Sequence, residues 1–214
     1  VYVIDFIGNG KSSRAVIRKG KLRSLVRTTP AGHVFTVLDE ANRKIADASL
    51  ALGTQRYTAD KDGTIAVPFS SQPGRRPIVL VQGNFASLDY FQHEAETYAL
   101  SAGIHVEREA LLARAKAQVI VRPCLTLNGT PVALSLLEEP ALIIASTDRD
   151  GVSATKEVRP FPLKDSVEAV HEFQVPANLA ALQFVLTAKV KNLSRNETVT
   201  LQAERAFALN GIDA

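Results

Sequence analysis

The apolar residues of this chain come in short runs of Val, Ile, Leu and Phe, punctuated every eight to twelve residues by Gly, Pro, Asn and Asp. In the first half the pattern predicts strands at 15–17, 22–27, 34–38, 49–52, 64–69 and 78–82. Gly53, Gly63, Gly74 and Gly83 mark turns, and Asp62-Gly63 is the dipeptide a two-residue hairpin favours. Residues 108–118, with Glu-Ala-Leu-Leu-Ala-Arg-Ala-Lys-Ala from Glu109, are strong helix formers without Gly or Pro and predict a short helix or a linker. Strands resume at 119–121, 125–127, 132–136, 141–146, 167–175, 181–190 and 198–207. In the longest, Phe184, Leu186, Ala188 and Val190 alternate with Thr187, Lys189 and Lys191, as on a strand with one buried face. The expected fold is all-β: two immunoglobulin-like antiparallel β-sandwiches, residues 1–105 and 119–214, joined by a helical or extended linker at 106–118.

Composition narrows this reading. Hydrophobic residues make up 46% of the chain, charged residues 22%, and the net charge is +3, which describes a folded chain and not a disordered one. The longest apolar runs, such as 141–145, are far too short to span a bilayer as a helix. The single Cys124 excludes an internal disulfide and a Cys-based structural zinc site, and the absence of Met, even at position 1, marks the sequence as a piece of a longer protein. Charge is uneven. Lys11, Arg14, Arg18, Lys19, Lys21, Arg23 and Arg27 form a basic ribbon without an acidic residue, whereas 89–109 carries Asp89, Glu94, Glu96, Glu107 and Glu109 against Arg108 alone. The ribbon is a candidate contact for a polyanion or a partner protein. It contains no aromatic residue on which bases could stack, so nucleic acid is not the expected partner.

Motifs for chemistry are incomplete. Gly8-Asn9-Gly10-Lys11-Ser12 resembles a phosphate loop, but Asp5 stands where the first Gly should and a strand pattern follows, so the segment reads as a turn. His105, Glu107 and Cys124 echo a zinc deaminase signature whose second Cys position is Leu127; Cys124 then reads as a small buried residue beside a strand. Asp60-x-Asp62-Gly63 and Asp148-x-Asp150-Gly151 repeat one form and read as turn tips, with a shared calcium site as the alternative. Neither a Gly-x-Ser-x-Gly elbow nor a His-Glu-x-x-His helix occurs, so no enzyme, cofactor or metal site is expected. Asn128, Asn192 and Asn196 open Asn-x-Ser/Thr triplets.

The series running from Leu22-Arg-Ser-Leu-Val-Arg-Thr through Val34-Phe-Thr-Val-Leu-Asp-Glu, Asp62-Gly-Thr-Ile-Ala-Val-Pro-Phe and Pro77-Ile-Val-Leu, with Val170-His-Glu-Phe-Gln-Val-Pro and Phe184-Val-Leu-Thr-Ala-Lys-Val, resembles the macroglobulin-type modules of the α2-macroglobulin family. That family's Gly-Cys-Gly-Glu-Gln thioester motif is absent. The resemblance implies a non-catalytic scaffold module of a large exported bacterial protein, periplasmic or extracellular, whose partners are neighbouring domains of the same parent chain or another protein. Two alternatives remain. An adhesin or carbohydrate-binding module would use Phe85, Tyr90 and Phe91 as an aromatic platform, and a hydrolase would use His105 and Glu107 at the junction.

Overall fold

The computed structural model describes residues 2–17 and 20–209. The chain divides into two units, Val1–Ala95 and Glu96–Ala214. The described residues are almost wholly strand, and every pairing between strands is antiparallel.

Unit 1 opens with a hairpin, β1 (Tyr2–Gly8) and β2 (Lys11–Ile17), which pair only with each other. Asn9 and Gly10 form its turn with φ of 48° and 72°, the doubly left-handed geometry that matches strand twist. The sequence reading of a turn here, and not a phosphate loop, agrees with this geometry. Seven strands follow: β3 (Arg23–Thr29), β4 (Gly32–Leu38), β5 (Ser49–Leu52), β6 (Gln55–Thr58), β7 (Ile65–Val67), β8 (Gly74–Gln82) and β9 (Phe85–His93). They make two sheets, β3-β4-β7 and β6-β5-β8-β9. Inward residues of both sheets share one core: Phe35 and Val37 from β4, Leu50 from β5, Ile65 and Val67 from β7, Ile78 and Leu80 from β8, Phe91 from β9. Each such side chain contributes roughly 1.5–3 kcal/mol by leaving water. Gly32, at φ 116°, opens β4 so close to β7 that a Cβ there would sit 2.4 Å from the Val67 carbonyl oxygen, so only Gly fits.

His33 is buried beside this core, its ring edge-on to Phe69, Phe91 and His93. Its Nε2 accepts from the Glu94 N–H at 3.1 Å, which requires a neutral ring at that nitrogen. Burial, then the neighbouring His93, holds its pKa below the ordinary 6.5. The unfolded chain therefore binds the proton more readily, and unit 1 is expected to lose stability as the pH falls below about 6.5. The slope approaches about 1.4 kcal/mol per pH unit at most. Urea unfolding at pH 7.5 and 5.5 checks this, and His33→Gln should flatten the difference.

Unit 2 contains β10 (Tyr98–Val106), β11 (Lys116–Leu127), β12 (Thr130–Val132), β13 (Leu137–Asp148), β14 (Ser153–Val158), β15 (Ala169–Gln174), β16 (Leu179–Asn192) and β17 (Glu197–Ala208). β10, β12 and β15 all pair with β11, and the second sheet runs β14-β13-β16-β17. Val119 and Val121, Leu142 and Ile144, Phe173, and Leu182, Phe184 and Leu186 fill the space between, a β-sandwich interior. β13 shifts register between Glu138 and Ala141, where Pro140 has no donor for the ladder and Glu139 adopts φ 49°.

If the short β12 is set aside, the two units share one connectivity. Numbered within each unit, the sheets are 1-2-5 and 4-3-6-7 in both. The expected boundary requires correction: β10, placed by the sequence reading in the first domain, pairs with β11 and belongs to unit 2, so the division falls at Ala95/Glu96. Of the short helix or linker expected at 108–118, the helical form is limited to a 3₁₀ turn at Arg108–Ala110, followed by a buried Leu111 and the start of β11 at Lys116. Tertiary contacts override the local preference: Arg114 N–H donates to Val175 O and Val175 N–H donates to Ala115 O, which ties the turn at residues 113–114, with Arg114 at φ 62°, to the strand end across from it.

The Asp-x-Asp-Gly echo is local chemistry. Asp60 accepts from the N–H of Asp62 and Thr64, and Asp148 accepts identically from Asp150 and Val152. The first loop joins the fourth and fifth strands of its unit and the second joins the third and fourth, so the two are not equivalent places in the repeat. Nor is Asp62-Gly63 a hairpin turn, because β6 and β7 lie in different sheets.

Candidate functional site

The basic ribbon does not form one face. β2 pairs with β1 and β3 pairs with β4, so the ribbon is split between two sheets. Arg18 and Lys19 lie outside the described residues. On β2, Lys11 stands at the turn, and Arg14 is engaged by Asp5 through Nε–Oδ1 at 2.7 Å and Nη2–Oδ2 at 3.2 Å, which raises the guanidinium's pKa further. Lys21 borders an open cleft of about 400 Å³ with Leu22, Phe85 and the Asp39–Arg43 ion pair. Arg23 and Arg27 lie two apart on each side of Leu25 along β3, so all three share one face, and all are exposed, Leu25 by 61%. This short Arg-Leu-Arg strip on an edge strand is what the structure brings together from the seven predicted residues. An exposed Leu between two arginines supplies apolar area and charge for a protein contact.

The acidic ribbon, by contrast, is largely spent inside the units. Asp89 accepts from Ser24 Oγ at 2.8 Å and from Ser24 N–H at 3.3 Å, and Glu94 accepts from Thr28 Oγ1 at 3.0 Å. These bonds tie the inner-pointing residues of β3 to β9 and its end, which leaves Arg23 and Arg27 facing outward. Glu96, buried, accepts from the N–H of Leu193 and Ser194 and from Tyr98 Oη. Neither its burial nor that role was visible in the sequence, which showed only one more acidic residue in a run.

The other candidates are placed as follows. Phe91 is in the core and Phe85 packs against it, while Tyr90 points to the opposite face with the Arg75 guanidinium 4.8 Å above its ring. Alternation along β9 thus separates the three rings expected to form a platform. His105 and Glu107 border an open cleft with Arg205–Ala208, and among the described residues no hydrogen bond joins them. Cys124 is exposed on β11 and not buried as expected, opposite Ser101 and four pairs along the ladder from His105. Among the described residues no cluster of three metal-ligating side chains occurs. Asn192 is buried, its Nδ2 donating to Glu96 O at 2.8 Å, so this Asn-x-Ser amide is not open to modification in the folded unit. Among the described residues no helix is long and apolar enough to cross a membrane. What the sequence reading missed is the apolar character of β1, where Tyr2, Val3, Ile4, Phe6 and Ile7 are all exposed; an apolar run broken only by Asp5 was the available signal.

A β-sandwich with 1-2-5 and 4-3-6-7 sheets defines an immunoglobulin-like domain. The sequence profile of the AbpF third immunoglobulin-like domain matches residues 107–214, half of the chain, and the chain belongs to this family. Actin-binding protein F of Dictyostelium discoideum is 40% identical over 221 residues, covering 100% of this chain. The chain spans only 9% of that relative's length. The crystal structure of the selenomethionine-substituted chicken interferon gamma receptor alpha chain aligns over 90% of this chain and 98% of its own at 10% identity, with a TM-score of 0.33. These findings keep the immunoglobulin-like part of the sequence reading, in the AbpF family, and do not show a macroglobulin-type or bacterial origin. They overturn the expected periplasmic or extracellular placement, because the 40% identical relative is an actin-binding protein of a eukaryote.

Proposed function

We propose that this chain is a structural and protein-contact segment of a large actin-binding-protein homologue, working by spacing and docking and not by turnover. The observation that carries this reading is the repetition of one seven-strand connectivity in two consecutive units, separated by only the four residues 94–97 between β9 and β10. Tandem domains with short connectors limit freedom between neighbours and suit a spacer. Its first partners are neighbouring domains of its own parent chain. A second contact uses Arg23, Leu25 and Arg27 against an acidic protein surface, and an actin filament is the partner that the 40% identical relative suggests.

Cosedimentation of the 214-residue chain with filamentous actin tests the filament contact. Binding should weaken as salt rises, and the double charge reversal R23E/R27E should lower affinity at least about tenfold while leaving both units folded. Absence from the pellet at low salt would confine the role to spacing.

A further inference from the structure

The hairpin β1–β2 is a folded element without a sheet to belong to. Every residue of both strands is exposed, including Tyr2 at 65% and Phe6 at 60%. Large apolar side chains on an isolated two-stranded ribbon are not stable in water by themselves, because such a hairpin buries too little surface. The register sorts them. Tyr2, Ile4 and Phe6 share a face with Ala15 and Ile17, interrupted only by Ser13 opposite Phe6. The other face carries the ion pair of the directly opposed Asp5 and Arg14, at 2.7 Å, with the smaller apolar group Val3, Val16 and Ile7 on either side of it.

The sixth and seventh strands of both units have this same two-faced form. In unit 2, Leu182, Phe184, Leu186, Ala188 and Val190 of β16 face the core, while Gln183 donates to Glu204 across the outer face at 3.0 Å. In unit 1, Ile78, Leu80 and Phe91 face the core and Arg75 lies over Tyr90 on the outer face. β1–β2 matches on a third count, its place in the chain. The seventh strand of unit 1, β9, ends at His93 and the first strand of unit 2 begins at Tyr98; β2 ends at Ile17 and the first strand of the seven-strand set of unit 1 begins at Arg23. The turn length agrees with unit 1, where two residues join β8 to β9 as two join β1 to β2, while four join β16 to β17 in unit 2.

We propose that Tyr2–Ile17 is the closing hairpin of a further immunoglobulin-like unit, and that its Tyr2, Ile4, Phe6, Ala15 and Ile17 face docks on that unit's first five strands, supplied by the parent polypeptide upstream of this stretch. The inference extends the tandem-module reading above. The matched profile describes a third immunoglobulin-like domain at residues 107–214, so unit 1 takes the second place and β1–β2 falls where the first would end. The relative's much greater length leaves ample chain for it.

Hydrogen exchange of the Tyr2–Ile17 amides decides the matter. It is measured in the 214-residue chain and in the parent chain extended upstream by as many residues as separate β3 from β8. Protection in the extended chain should rise at least about 100-fold, and Phe6→Asp should remove the gain without altering exchange in β3 to β9. Equal exchange in the two chains overturns the proposal. So does protection in the 214-residue chain that grows with protein concentration, since a second copy would then cover the face. Should the extended chain fail to fold, Ile4→Asp and Phe6→Asp in the 214-residue chain give the second reading. An unchanged unit 1 unfolding midpoint supports the proposal, and a lowered one overturns it by showing that the hairpin packs on unit 1. Loss of actin cosedimentation leaves all of these readouts untouched, so the two hypotheses fail separately.

Discussion

Phe184→Ala is expected to destabilise unit 2 by about 3–5 kcal/mol, the largest effect of any single truncation in that unit. The ring is 0% exposed and lies edge-on to Phe173 at 5.6 Å and Phe207 at 5.8 Å. Phe173 comes from β15 in the facing sheet, so the ring joins the two layers of the sandwich, and Ile144 is its direct cross-strand neighbour on β13. Removing it leaves a cavity whose walls are held apart by strands on both sides and cannot collapse, so the loss includes the cavity as well as the transfer of the ring. Aromatic edge contacts add about 0.5–1.5 kcal/mol beyond area. Urea unfolding followed by circular dichroism should show the unit 2 transition at lower denaturant and the unit 1 transition unmoved. A loss below about 1 kcal/mol would contradict the packing described here.

Glu96→Ala should cost unit 2 about 2–3 kcal/mol, although it deletes no core surface. Glu96 is 7% exposed and lies two residues before the start of β10, with Thr97 between. Its two oxygens accept from Leu193 N–H at 3.2 Å and Ser194 N–H at 2.7 Å, which lie in the turn between β16 and β17, and from Tyr98 Oη at 3.0 Å. Without the carboxylate, two part-buried backbone donors and one hydroxyl lose their partner, and this desolvation cost exceeds the worth of an ordinary hydrogen bond. Glu96→Gln keeps one acceptor and should lose about half as much. Tyr98 supplies an independent readout. Burial first, then the hydrogen bond and charge of Glu96, push its phenol up to about 12. In Glu96→Ala an ultraviolet titration should find it lower, though still above the ordinary value because burial remains. A phenol titrating unchanged would show that Glu96 does not face it in solution.

The strands absent from the sequence reading have a common cause. β6, β9, β10 and β14 were not predicted, and β1 was read only as the approach to a turn; each lies at the edge of its sheet. Edge strands bury less, so their alternation is diluted: β14 is Ser-Ala-Thr-Lys-Glu-Val and exposed nearly throughout, and β10 is broken by Ser101 and Gly103. Central strands such as β4, β11, β13 and β16 carry the apolar signal because both neighbours and the opposite sheet press on them. Missing β10 alone moved the domain boundary, since the strand that opens unit 2 was counted with the first domain.

The charge pattern was legible as composition and misleading as surface. Counting showed a basic ribbon and an acidic one, but counting does not show which carboxylates point inward. Asp89, Glu94 and Glu96 are consumed by Ser24, Thr28 and the turn at Leu193–Ser194, while of the predicted basic residues Arg23 and Arg27 share an exposed strip. Strand alternation and pairing decided that, and pairing depends on partners far away in sequence.

By itself the sequence determined that this is an all-β, immunoglobulin-like chain, that its core strands include 34–38 and 181–190, and that its Gly-Asn-Gly segment turns a hairpin and does not cradle a phosphate. Those properties follow from side-chain volume, alternation and the φ angles a residue tolerates, all of them local. Tertiary structure alone decided that the chain repeats one connectivity twice, that the division falls at Ala95/Glu96, that 108–118 runs from a 3₁₀ turn into β11, and that an apolar hairpin pairs with no other described strand. Each of these depends on which strand lies beside which, and that is set by burial summed over the whole unit and not by any window of the sequence.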